Sequence, residues 1–195
     1  MIVFITGGVR SGKSSFAEQL ATDAARRISR NLHYIATSQK TDQEMEERIK
    51  RHQEKREHSP FAWRTWEVPV CLEGIADYFQ SGDLLLLDCL TNLATNELFA
   101  GWENGTEKWQ NGNYRSEVYH RIIQVIEQLD QRGVTLFIVS NEIFQSPIPD
   151  DPGTLYFAEL LGKLHQHIVA MAARAYLVEN GIATVKKGEH HEGER

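Results

Sequence analysis

The chain reads as an α/β protein with a mainly parallel sheet and helices on both faces, and three observations predict this. Short apolar runs alternate with helix-like segments along its 195 residues, the order expected when crossover helices join successive strands. Several of the runs are continuously apolar, as strands covered on both faces must be. The first run leads straight into a glycine-rich turn and then a helix, which is the setting of a phosphate-binding loop.

The predicted strands are Ile2–Thr6, His33–Ala36, Leu84–Leu87, Val134–Val139 and Ala175–Val178. The predicted helices are Lys13–Arg30, Asp42–Glu57, Thr91–Ala100, Tyr114–Gln131 and Gly153–Arg174. Phe16, Leu20 and Ala24 share one face of the first helix. In the fourth, Val118, Ile122, Val125, Ile126 and Leu129 recur at three and four, so one face is buried. Gly101–Asn113 is rich in Gly, Asn and polar residues and reads as a surface loop. Gln145–Gly153 carries Pro147, Pro149 and Pro152, which suits either a connector or a flap beside a site. Residues 1–185 are expected to form a single domain, without internal repeat or linker. Residues 186–195 read as a charged, fraying tail in which His190 and His191 are solvated.

Composition narrows the function classes. Hydrophobic residues at 41 % and charged residues at 25 % suit an ordinary globular domain, and the length suits one sizeable core. A net charge of -6 argues against a protein that coats nucleic acid. Cys71 and Cys89 lack metal-ligand spacing and are too few for a disulfide scaffold, so reduced thiols are expected. No apolar run approaches the roughly 20 residues of a membrane span, and Ile2–Ile5 is only strand length. These points give a cytoplasmic localisation as the expectation.

Gly7-Gly-Val-Arg-Ser-Gly-Lys-Ser14 fits the pattern G-x-x-x-x-G-K-[ST] between strand and helix. The chemistry explains each residue type. Glycines let the backbone turn its amides inward around phosphate oxygens, and the helix N-terminus adds its positive end. Lys13 is placed to reach β and γ phosphates, and Ser14 to ligate Mg²⁺. Asp88, closing the run Leu84–Leu87, is the expected second carboxylate-side partner of Mg²⁺; an ordinary turn acid is the competing reading. Glu142 lies after the following strand and belongs to the same rim, where ligands of open parallel sheets collect. The N-K-x-D guanine signature of regulatory GTPases is missing.

Thr41-Asp-Gln-Glu44 is a capping-box pattern opening the second helix. Beyond Met45 and Ile49 this helix has no apolar residue, so its second half is not buried along a full stripe. Arg48, His52 and Arg56 are spaced four apart and share a face. Flanking cations would hold an anion and keep the His52 imidazole neutral, and a neutral imidazole is a competent nucleophile toward phosphorus. A solvated, charge-rich helix explains the same spacing.

Taken together, these residues resemble one family. Gly7-Gly-x-Arg-Ser-Gly-Lys-Ser14, Tyr34-Ile-Ala-Thr37, Asp42-x-Glu-Met45 and Arg48-Ile49-x-x-His52-x-x-x-Arg56 are similar to the bifunctional adenosylcobinamide kinase / adenosylcobinamide-phosphate guanylyltransferases of cobalamin biosynthesis. The likeness continues through Trp63-Arg-Thr-x-Glu67, Leu87-Asp-Cys-Leu-Thr91 with Thr95-Asn96, and Ser140-Asn-Glu142. It implies a RecA-like P-loop NTPase fold, a homotrimer, and two reactions. The first passes the terminal phosphoryl group of ATP or GTP to the hydroxyl of adenosylcobinamide. In the second a histidine takes GMP from GTP and hands it to adenosylcobinamide phosphate, giving adenosylcobinamide-GDP.

The family's guanylylated histidine falls on His52. Its nucleotide contacts fall on Gly7, Gly8, Val9, Arg10, Ser11, Gly12, Lys13 and Ser14, on Ala36, Thr37 and Ser38, on Gln53, Glu54, Lys55 and Arg56, and on Glu67 and Asp88. Mg²⁺ is implied at Ser14 and Asp88. Many members carry Glu where this chain has Asp88, a shorter arm with the same charge. Two other readings compete: a small-molecule P-loop kinase or ATPase without guanylyl transfer, and a non-enzymatic nucleotide-dependent switch.

Overall fold

The computed structural model describes residues 1–28, 31–38, 61–145, 147 and 149–188. The predicted second helix lies outside them, and with it His52 and Gln53–Arg56. Seven strands form one sheet: β1 (Ile2–Gly7), β2 (Leu32–Ala36), β3 (Trp63–Glu67), β4 (Leu84–Asp88), β5 (Thr135–Asn141), β6 (Arg174–Glu179) and β7 (Ile182–Lys187). Their order is β3-β2-β4-β5-β1-β6-β7. All neighbours are parallel except β6 and β7.

Among the described residues four α-helices cover the sheet: α1 (Lys13–Ile28), α2 (Leu90–Leu98), α3 (Gly112–Gln131) and α4 (Pro152–Met171). Period-2 alternation along the strands sends residues to two separate cores. Val3, Ile5, Leu84, Leu86, Phe137 and Val139 pack toward α1. Ile2, Phe4, Leu85, Leu87, Leu136 and Ile138 pack toward α2, α3 and α4. The central strands β1, β4 and β5 are buried on both faces, so their continuous apolar runs are explained.

The structure corrects several sequence expectations. The buried stripe of α1 is centred on Ala17, Ala21 and Ala25, with Phe16, Leu20 and Ala24 flanking it half-buried. Small residues under the helix let it sit close to the sheet. The last predicted helix stops at Met171, before Arg174, because Ala173 already donates to Ile2 O and Arg174 pairs with Val3. At its start Pro152 occupies the first turn, and the Asp151 carboxylate accepts from Thr154 N at 2.8 Å, a capped beginning. The segment 101–113 holds two short 3₁₀ turns before α3 begins at Gly112.

Two strands went unpredicted, and both lie at edges. β3 (Trp-Arg-Thr-Trp-Glu) is polar and half-exposed, so it lacks the apolar run that marked its neighbours. β7 shows one exposed face, and it takes in Lys186 and Lys187, with Lys187 opposite Ala175 of β6, so the strand runs on into the segment read as a tail. The turn joining β6 to β7 is Asn180-Gly181, both at positive φ (51° and 80°). Asn-Gly is the strongest short hairpin signal in a sequence, and it was present to be read.

Candidate active site at the carboxyl rim

Ile5, Val139, Asp88, Ala36 and Glu67 form one cross-strand row over five adjacent parallel strands. The residues that follow them therefore emerge along one rim. The phosphate loop leaves β1 there, and Thr37–Ser38 leave β2. Asp88 closes β4, two strands from the loop, roughly 10 Å at normal strand spacing. Sheet alternation puts Asp88 on the α1 side, the side where the loop meets its helix.

The loop is fixed by close backbone packing. A Cβ on Gly7 would lie 2.3 Å from Val178 O and 2.6 Å from Ser11 Oγ, so no side chain fits. Gly12 has φ +93°, and its Cα side faces the β6–β7 turn, where a Cβ would stand 3.3 Å from Gly181 Cα. Gly181 N donates to Ser11 O at 2.8 Å, so the hairpin braces the loop from outside. Val9 and Arg10 form its exposed crest. Lys13 is only 3 % exposed and its Nζ donates to Gly8 O at 2.9 Å. The ammonium is thus folded over the loop, at the place where phosphate oxygens would be held. Ser14 is buried in the first turn of α1.

Across the rim, the Tyr34 hydroxyl donates to Asp88 Oδ2 at 2.8 Å. Burial first, and then the neighbouring Asp88 carboxylate, push the Cys89 thiol up to about 11; Lys13 and the Thr91 side chain act the other way. Asp88 and Lys13 therefore flank the same thiol with opposite charges. Cys71 is also a free thiol, on the surface.

Thr37 is buried. Its hydroxyl donates to Cys89 O and accepts from Cys89 N, both at 2.7 Å. Asn92 and Asn96, one turn apart on α2, complete the cradle. Asn92 Nδ2 donates to Ser38 Oγ, and Asn96 Nδ2 donates to both Thr37 O and Pro69 O, all at 2.9 Å. Glu67, at the end of β3, is exposed beside Ala36. Glu142 hangs on the loop through its backbone, N to Gly7 O at 2.9 Å, while its carboxylate accepts from Phe144 N.

The described part of the predicted site thus converges: Gly7–Ser14, Ala36–Ser38, Glu67 and Asp88 share one rim. His52 and Gln53–Arg56 lie outside the described residues. Sequence reasoning did not single out Tyr34 as the partner of Asp88, or Asn92 and Asn96 as the props of Thr37–Ser38. Asn92 and Asn96 stand at i and i+4 on a predicted helix, and Asn96 already figured in the family resemblance through Thr95-Asn96, which was the available signal.

Sheet order, loop conformation and rim define a P-loop nucleotide-binding protein. Comparison with known proteins narrows the class. Residues 3–185 match the family model described as cobinamide kinase / cobinamide phosphate guanyltransferase (CobU). The chain is 35 % identical over 185 residues to the bifunctional adenosylcobalamin biosynthesis protein CobU of Salmonella typhimurium, covering 93 % of this chain and 97 % of that protein. It is 33 % identical over 186 residues to the bifunctional adenosylcobalamin biosynthesis protein CobP of Pseudomonas aeruginosa, covering 95 % and 96 %. The chain belongs to the cobinamide kinase / cobinamide phosphate guanyltransferase family. Among the described residues no helix is long and apolar enough to cross a membrane.

Proposed function

We propose that the chain carries out both reactions named for its family: phosphorylation of adenosylcobinamide, then transfer of GMP to adenosylcobinamide phosphate. The observation that carries this reading is the pairing of a formed phosphate loop, with Lys13 buried at its mouth, with near-complete alignment to proteins named bifunctional.

In the kinase step the loop amides and Lys13 hold the β and γ phosphates of ATP or GTP. The substrate hydroxyl attacks γ phosphorus, the bond to the bridging oxygen breaks, and Lys13 meets the charge spread over the equatorial oxygens. Ser14 and Asp88 offer the hard oxygen donors that Mg²⁺ prefers. No group of three His, Cys, Asp or Glu side chains gathers among the described residues, which suits an ion completed by water and phosphate. When bound, Mg²⁺ neutralises phosphate charge; Tyr34 keeps the Asp88 carboxylate in one orientation for it.

In the second reaction His52 attacks the α phosphorus of GTP and pyrophosphate leaves. An oxygen of adenosylcobinamide phosphate then attacks the guanylyl-histidine phosphorus, the P–N bond breaks, and adenosylcobinamide-GDP departs. Ala36–Ser38, Gln53, Glu54, Lys55, Arg56 and Glu67 are assigned to holding the nucleotide during this step. One triphosphate must present different phosphorus atoms in the two reactions, so the His52 segment is assigned a shift relative to the loop when guanosine nucleotide binds. A cytoplasmic homotrimer is the proposed working form, from family resemblance; a monomer mass in sedimentation would overturn the trimer.

Incubation with GTP labelled at the α phosphate tests the assignment. An acid-labile, alkali-stable protein adduct is expected, absent from the His52→Asn variant, which keeps kinase turnover. An adduct that persists in His52→Asn overturns the nucleophile. A wild-type chain that phosphorylates adenosylcobinamide without forming any adduct overturns guanylyl transfer and leaves a plain kinase.

A further inference from the structure

Behind the rim, on the face of the sheet opposite α1, lie hydrogen-bonded polar side chains in an otherwise apolar core. His165, on α4, places Nε2 2.7 Å from Ser140 Oγ. Ser140 is completely buried in β5, and its Oγ lies 3.0 Å from Thr91 Oγ1 in the first turn of α2. Thr91 Oγ1 also accepts from Asn141 N at 2.7 Å. Two residues earlier in the chain, Cys89 N and O bracket the buried Thr37 hydroxyl. Hydrogen bonds thus join α4, β5 and α2 through His165, Ser140 and Thr91, and the Cys89–Thr37 pair stands two residues along the chain, just beyond the ends of β4 and β2.

The ends of this line at Asn141, Cys89 and Thr37 adjoin residues of the nucleotide rim. Asn141 stands in register with Gly7 and precedes Glu142, whose amide holds Gly7 O. Cys89 follows Asp88, and Thr37 lies between Ala36 and Ser38. A core need not contain such a line: Val, Ala and Leu would fill the same space without needing partners. Buried polar networks hold one geometry when every member is satisfied, and phosphoryl transfer is sensitive to the placement of the groups around the phosphates.

We propose that His165, Ser140 and Thr91 form a positioning network that sets the ends of β5 and β4 against the phosphate loop, so that His165 governs phosphoryl transfer from the far side of the sheet. None of the three touches the nucleotide; they act through Asn141, Glu142 and Asp88. The ring of His165 is itself held by edge contacts with Phe4 (centroids 5.0 Å apart) and Phe144 (5.8 Å). Burial keeps it neutral, with its pKa lowered to about 4, so one ring nitrogen carries the proton and the other accepts.

The inference rests on the phosphoryl-transfer reading, and the test separates the two. Thr91→Val, Ser140→Ala, His165→Leu and His165→Gln are compared with the unaltered full-length chain, with folding checked by circular dichroism at the assay temperature. Thr91→Val and His165→Leu are expected to lower kinase kcat roughly tenfold while KM for the nucleotide stays within about threefold, the pattern of an interaction made in the transition state. His165→Gln, which can present a nitrogen near the position of Nε2, is expected to recover most of that loss. Folded variants with kcat within about twofold of the unaltered chain would show that the line is structural only. Equal losses in His165→Gln and His165→Leu would equally overturn the inference. No turnover in the unaltered chain would refute the kinase reading, and this inference with it.

Discussion

The Tyr34 hydroxyl donates to Asp88 Oδ2 at 2.8 Å, a side-chain bridge between the adjacent ends of β2 and β4. It ties down one oxygen of the Asp88 carboxylate. Tyr34→Phe keeps the ring, which packs edge-on against Trp63, and removes the hydroxyl that makes this bond. Its loss is expected to lower kinase kcat about tenfold and to raise the Mg²⁺ concentration needed for half-maximal rate. Asp88→Asn, which removes the charge, should cost more, roughly a hundredfold, whereas Asp88→Glu should stay nearer the unaltered chain. A Mg²⁺ titration of the four proteins checks the order. Asp88→Asn retaining the Mg²⁺ response of the unaltered chain would remove Asp88 from the metal site.

Lys13 is nearly fully buried, and its ammonium donates to Gly8 O across the phosphate loop. At that place the ammonium would meet the phosphate oxygens of a bound nucleotide. Lys13→Ala should therefore lose on the order of a hundredfold or more of both kinase and adduct-forming rates, as removal of a charge-stabilising group does. Lys13→Arg should rescue neither, because a planar fork does not replace a point charge in this space. Single-turnover rates with both nucleotides decide it; unchanged rates in Lys13→Ala would refute the role.

How much of this could be read from the sequence depends on what the signal was made of. The central strands β1, β4 and β5 announced themselves because burial on both faces leaves only apolar residues. β3 did not, because an edge strand can be Trp-Arg-Thr-Trp-Glu and still pair. The phosphate loop was legible because its backbone path demands glycine, as the 2.3 Å approach of Val178 O to a Cβ on Gly7 shows. The Asn92–Ser38 and His165–Ser140 contacts join residues 54 and 25 positions apart. No local pattern encodes such pairs; the fold alone brings them together.

The approach at Gly7 yields a stability prediction. The obstacle is backbone, the Val178 carbonyl of the neighbouring strand β6, so it does not swing aside as a side-chain end would. Gly7→Ala is expected to cost about 2–3 kcal/mol, in the range of overpacked sites. For a chain of this size that lowers Tm by roughly 5–10 °C. Gly8→Ala meets nothing within 4 Å and serves as the control. Calorimetry of the pair should separate them clearly; equal Tm values would mean that β6 yields more readily than its hydrogen bonds suggest.

His165 gives the pH dependence a sign. Burial lowers its pKa from 6.5 to about 4, so the folded state resists a proton that the unfolded chain accepts. Above pH 6.5 both states are neutral at this residue and nothing is lost. As pH falls from 6.5 toward 4 the unfolded chain takes up the proton first, and stability drains away through that window. Fully expressed, the loss is roughly 3 kcal/mol. The pKa of His33 is lowered too, by burial first, with Asp83 opposing and Arg64 adding, so the slope of the unaltered chain contains both. His165→Gln removes one of them. Denaturant unfolding at intervals from pH 7 to pH 4.5 should show the variant losing less stability than the unaltered chain across that range. Parallel curves would mean that His165 is protonated in the folded protein as readily as in the unfolded chain, and that burial does not isolate the Ser140 hydrogen bond.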